Sequence, residues 1–113
     1  MIDRLYRSLL NLIGGRDRRR QYRESLTIAF DVDGTLIDED SRPIYRTVDL
    51  LRHFVEDGHD VIIWSGGGIE YAETFARKLG FEDLVRVVAK GSEPVDIAFD
   101  DEAVELGIIN YEV

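Results

Sequence analysis

The sequence predicts a single α/β domain: a mainly parallel sheet of about five strands, with helices on both faces and no inserted cap domain. Three observations predict it. Short, nearly continuous apolar runs recur at Leu26–Phe30, Asp60–Trp64 and Val95–Phe99, as in strands buried on both faces of a parallel sheet. Between them lie stretches with apolar residues every three to four positions, the period of amphipathic helices. Strand and helix signals alternate along the chain, which is the order of βαβ units.

The elements follow in order. Ile2, Leu5, Tyr6, Leu9 and Ile13 space as one face of a helix that stops at Gly14-Gly15. The polar, basic run GRDRRRQYRES follows, so residues 1–25 read as an N-terminal extension and residues 26–113 as the domain proper. Leu26–Phe30 is the first strand and DEDSR, residues 38–42, a loop. Pro43 suits a first helical position, with Ser41 or Arg42 near the cap. Ile44, Val48, Leu51 and Val55 continue that helix to Gly58. Asp60–Trp64 is the second strand and Ser65-Gly-Gly-Gly68 a turn. Ile69, Ala72, Phe75, Ala76 and Leu79 mark a helix closed by Gly80. Leu84–Val88 is a third strand, residues 90–94 a loop and Val95–Phe99 a fourth strand. A short helix and an edge strand over Ile108–Val113 complete the expectation.

Composition narrows the function classes. The 113 residues suit one core, and 44% hydrophobic content sets the chain apart from disordered sequences. There is no cysteine, which excludes disulfides, thiolate metal sites and cysteine nucleophiles. No run approaches the ~20 apolar residues of a membrane span, and the basic cluster follows the N-terminal apolar stretch, the reverse of a secretory signal. The expected location is cytoplasmic. The net charge of -9 is uneven. Residues 1–25 hold seven Arg against Asp3, Asp17 and Glu24, a balance of +4, whereas residues 26–113 hold seven Lys/Arg against 20 acids, a balance of -13. An acidic body argues against a nucleic-acid-coating surface there. For the basic arm three readings stand: packing on the domain or on a second copy, contact with anionic membrane or nucleic acid, or disorder in isolation.

Chemistry collects at the strand ends. In an open parallel sheet, sites form beyond the carboxyl ends of the strands. The first strand runs into Asp31 and Asp33, the second into Ser65 and three glycines, the third is followed by Lys90, and the fourth runs into Asp100 and Asp101. Four clustered carboxylates repel one another unless a cation sits among them, and all-oxygen ligands beside a phosphate favour Mg²⁺. Glycine amides at a helix start form an anion cradle. Carboxylates, a hard cation, a lysine and an anion cradle together point to phosphoryl transfer with a carboxylate as nucleophile.

DVDGT, WSGGG, Lys90 and FDDE, in that order and each beyond a strand, resemble the four motifs of the haloacid dehalogenase superfamily of phosphohydrolases, over roughly residues 26–113. The resemblance implies a Rossmann-like domain and a Mg²⁺-dependent phosphatase. It implies that Asp31 is the nucleophile that forms a phosphoaspartate. Asp33 would be the general acid and base, its carbonyl also on Mg²⁺. Gly34 would allow the tight turn and Thr35 would steady it at the substrate side. Ser65, Gly66 and Gly67 would hold the phosphate, Lys90 would neutralise charge, and Asp100 and Asp101 would bind the metal. The sequence departs from the pattern in having Gly91, not proline, after the lysine, and in its three glycines after Ser65. The short spacings from Asp33 to Ser65 and from Ser65 to Lys90 leave room for one helix and one strand each, so the site is expected to be open.

Competing readings are a non-catalytic binding module, a receiver-type phosphoacceptor and a nucleic-acid end-processing phosphatase whose arginine arm holds the polymer. Chain order opposes the receiver, because the acidic pair here follows the lysine. The substrate expected is a phosphorylated small molecule or polymer end, and the N-terminal helix is a candidate for homo-oligomer contact.

Overall fold

The computed structural model describes residues 25–113, and the expectations for the N-terminal helix and basic run lie outside them. The chain forms β1 (Thr27–Phe30), α1 (Tyr45–Glu56), β2 (Asp60–Ile63), α2 (Ile69–Lys78), β3 (Arg86–Val87), β4 (Val95–Asp100) and β5 (Gly107–Glu112). All five strands pair parallel, in the order β3-β2-β1-β4-β5. The chain therefore starts at the centre, walks outward to β3, and returns to the other side of β1 for β4 and β5. That reversal opens a crevice between the carboxyl ends of β1 and β4.

Strand alternation sorts the side chains. Ile28 and Phe30 of β1 share a face with Val61 and Ile63 of β2 and Ile97 and Phe99 of β4. They form one core with Val48, Leu51 and Phe54 of α1 and Ala72, Phe75 and Ala76 of α2. Two crossovers in the same direction place both helices on that side. Phe30 stacks on Phe99 with centroids 4.7 Å apart, and Phe54 leans on both rings. On the opposite face Ala29, Ile62, Trp64 and Ala98 belong to a second, smaller cluster.

Several boundaries differ from the sequence-based expectation. α1 begins at Tyr45, not Pro43, and Ile44 is its N-cap with no side-chain cap. Pro43 instead bridges Ile37, because the fully buried Ile37 draws the DEDSR loop back on itself. Asp38 ties that loop, accepting the N–H groups of Asp40 and Arg42 at 2.9 Å each. The third strand is two residues long, not five, since Leu84 and Val85 donate their N–H groups to Phe81 O in a turn. Residues 101–106 form bends and no helix, with Glu102 N–H bonded to Asp100 Oδ1 at 3.0 Å. β1 starts at Thr27, because Leu26 N–H is taken by His59 Nδ1 at 3.1 Å. No helix among the described residues is long and apolar enough to cross a membrane.

Candidate active site

The register of the two central strands assembles the acidic centre. Phe30 pairs with Phe99, so the next residues, Asp31 and Asp100, emerge side by side. Asp31 N–H continues the ladder to Phe99 O at 3.0 Å. Asp31 is 6% exposed and Asp100 1%, so both carboxylates are nearly stripped of solvent. Lys90, from the loop after β3, spans them: its Nζ donates to Asp31 Oδ1 at 3.2 Å and lies 2.6 Å from Asp100 Oδ2.

One ammonium does not balance two buried carboxylates. Burial, and then the neighbouring Asp100 charge, push the Asp31 carboxyl up to about 6, although Lys90 opposes the shift. The same two carboxylates raise Lys90 above its ordinary value against the cost of its burial. Asp101 adds a third carboxylate from the exposed side, and one ligand oxygen from each of Asp31, Asp100 and Asp101 lies within 4.8 Å of the others. Asp100 Oδ2 is buried, and among the described residues its close polar partner is the Lys90 ammonium. An all-oxygen set with two buried carboxylates and more negative charge than Lys90 offsets fits a hard divalent cation.

The turn after β1 is folded tightly. Gly34 adopts φ +77°, and a Cβ there would overlap the Asp101 carboxylate, so this glycine lets the β1 turn and the β4 turn approach. Thr35 lies fully buried under the turn: its N–H reaches Val32 O, and its hydroxyl has no hydrogen-bond partner among the described residues. Its side chain thus faces the core, not the open edge. Asp33 is exposed at the rim.

Beyond β2, Ser65 is buried and its Oγ accepts Gly67 N–H at 3.0 Å, which pins the glycine turn. Gly66, Gly67 and Gly68 are exposed, and Gly68 caps α2 with φ +106°. The amide-rich start of α2 thus flanks the acidic centre, a suitable place for an anion.

One participant escapes sequence reasoning. Tyr71, in the first turn of α2, donates its hydroxyl to Asp33 Oδ1 at 2.5 Å. The bond to that carboxylate raises the Tyr71 hydroxyl to about 12. A Cβ on Gly67 would come within 3.2 Å of the Tyr71 ring, so the glycine turn admits the tyrosine. The helical pattern of Ile69, Ala72, Phe75 and Ala76 leaves Tyr71 off the apolar stripe; that position was the available signal.

Among comparisons with known proteins, a family model described as haloacid dehalogenase-like hydrolase matches residues 28–93, more than half of the chain. The match includes the DVDGT turn, the glycine turn and Lys90, and ends before Asp100. No curated protein and no solved structure matches the chain significantly.

Proposed function

As the chain belongs to the haloacid dehalogenase-like hydrolases, we propose that it hydrolyses phosphoric monoesters with Mg²⁺ through a phosphoaspartate on Asp31. The observation that carries this reading is the convergence of Asp31, Asp100 and Lys90 in one buried ion-paired cluster at the switch point of the sheet.

Asp31 attacks phosphorus through a carboxylate oxygen, and the ester P–O bond breaks. Protonated Asp33 gives its proton to the departing alkoxide oxygen. The resulting Asp33 carboxylate then takes a proton from water, whose oxygen attacks phosphorus, and the bond to Asp31 breaks to release inorganic phosphate. Tyr71 occupies Asp33 Oδ1, leaving Oδ2 to carry the proton. Lys90 offsets negative charge where carboxylate meets phosphoryl oxygens. Ser65 Oγ and the Gly66 amide cradle the phosphate, and the Gly67 amide, donated to Ser65 Oγ, holds that hydroxyl in place. A Mg²⁺ ion held by Asp31, Asp100, Asp101 and the Asp33 carbonyl would supply the positive charge that lets an anionic nucleophile approach an anionic substrate.

Between β1 and β2 the chain spends only a turn and α1, and between Ser65 and Lys90 only α2 and β3. No cap stands over the site in either interval, so the substrate class includes polymer ends as well as small phosphates. The test is turnover of a generic aryl phosphate with Mg²⁺, with EDTA, and by Asp31→Asn. Activity that requires both the metal and Asp31 is expected. Turnover that survives Asp31→Asn in a folded protein would refute the phosphoaspartate route.

A further inference from the structure

We infer that the Lys90 ammonium competes with the divalent cation for Asp100 Oδ2, so that Mg²⁺ and a phosphate anion bind together, each helping the other to displace that ammonium. The inference rests on the metal-dependent reading of the acidic centre and concerns how the centre is loaded, not the hydrolysis.

The two oxygens of Asp100 are engaged differently. Its Oδ1 accepts the Glu102 N–H at 3.0 Å, a bond made by the turn after β4. Its Oδ2 faces Lys90 Nζ at 2.6 Å. The same Nζ is farther, 3.2 Å, from Asp31 Oδ1. A lysine that served only to neutralise the nucleophile would stand nearest Asp31. Here it leans on the neighbouring carboxylate, and the oxygen it holds is the one that the turn leaves for a cation.

One oxygen serves both partners poorly. Mg²⁺ bonds its ligand oxygens at ~2.0–2.1 Å. An ammonium 2.6 Å from the same oxygen would then lie within ~4.7 Å of the ion. Like charges that close repel with little screening between carboxylates as buried as Asp31 and Asp100. One of the two cations must give way, and Lys90 is the one built to move. Asp100 is held by its strand register with Glu112 of β5 and by the Glu102 bond. Lys90 stands on a turn, next to Gly91 at φ +77°, with its side chain 23% exposed and a flexible four-carbon stem.

Where the ammonium goes decides the coupling. Mg²⁺ alone must draw Lys90 off Asp100 and give it no new partner in return. A phosphate beside Ser65 offers the ammonium fresh anionic oxygens while it keeps Asp31 Oδ1, and Asp100 Oδ2 is then free for the metal. Each ligand removes a cost that the other would meet, which is positive cooperativity. If Lys90 leaves Asp100 Oδ2 about one-tenth of the time, Mg²⁺ alone binds ~10-fold more weakly than the carboxylates would allow. The consequence suits an uncapped site, whose metal centre is completed as the phosphate arrives.

Calorimetric titration of the full chain tests this. Without an anion, Lys90→Met should bind Mg²⁺ ~10-fold more tightly than wild type; equal or weaker binding would overturn the inference. Inorganic phosphate should tighten Mg²⁺ binding by the wild type more than by Lys90→Met. An equal gain would show that direct contact of ion and anion carries all the coupling, and would overturn it as well. Should Lys90→Met not fold, the wild type decides: acetylation of Lys90 by an N-hydroxysuccinimide ester, read by mass spectrometry, should speed up several-fold with Mg²⁺ and slow again when phosphate joins it. A rate indifferent to saturating Mg²⁺ would overturn the inference. The expected binding pattern without turnover of aryl phosphate would uphold it and count against the phosphatase reading alone; no Mg²⁺ binding by either protein would overturn both.

Discussion

At the scale of single residues, the site trades stability for chemistry. The Asp31 carboxyl rises from 3.8 to about 6 through burial and the Asp100 charge. An acid whose folded pKa is raised favours folding while protonated, and that contribution is lost as pH rises from about 4 through about 6. In EDTA at pH 7, Asp31→Asn should therefore melt higher than wild type, by roughly 1 kcal/mol or more, and the gap should close near pH 4. Turnover by the same variant should fall at least ~10³-fold, as loss of a nucleophile does. Calorimetry and kinetics on one preparation check both. Tyr71 acts one contact further out. Tyr71→Phe removes the bond to Asp33 Oδ1 but keeps the ring against Phe75. It should lower kcat with KM and melting temperature nearly unchanged; a change confined to KM would assign Tyr71 to substrate binding instead.

At the scale of elements, two turns must fit together before any chemistry occurs. Gly34 brings the turn after β1 against the Asp101 carboxylate that follows β4. Gly34→Ala meets both a left-handed backbone, costing ~1–2 kcal/mol, and a direct clash. It should reduce Mg²⁺ affinity measured by titration calorimetry as well as stability; loss of stability with unchanged affinity would show that Asp101 lies outside the metal shell. At the other end of β1, His59 accepts Leu26 N–H through Nδ1 and packs edge-on against Phe54. Burial holds its pKa below the usual value of 6.5. A histidine with a depressed folded pKa costs stability as pH falls below 6.5, because the unfolded chain takes up the proton first. Between pH 7 and 5 the wild type should accordingly lose melting temperature relative to His59→Asn, in which the Asp31 contribution is retained and the histidine contribution is absent.

At the scale of the whole molecule, the sheet order creates the site and the charge balance governs its occupancy. β1 and β4 bring the acidic residues together although 69 positions separate Asp31 from Asp100. On the proposed Mg²⁺-dependent reading, repulsion within that cluster would make the cation a stabilising ligand of the folded state alone. Saturating Mg²⁺ at 100 times its Kd should raise unfolding free energy by ~2.7 kcal/mol. EDTA should reverse the gain, and Asp100→Asn should largely abolish it; equal melting with and without Mg²⁺ would remove the metal from the site.

The sequence by itself determined whatever depends on local pattern. Apolar runs marked the central strands, three-to-four spacing marked α1 and α2, and Gly58 and Gly80 marked where those helices close. The order of DVDGT, the glycine turn, Lys90 and the Asp100-Asp101 pair was legible because a parallel sheet delivers the residues after its strands to one edge. The tertiary structure alone decided what depends on contacts between distant segments. Pro43 left the helix because Ile37, buried across the hairpin, pairs with it. The third strand shrank because an edge strand has one neighbour, and a turn onto Phe81 O claimed its first residues. Thr35 turned inward because the turn buries it. Tyr71 reached Asp33 because α2 starts beside the β1 turn, a proximity that no spacing along the chain encodes.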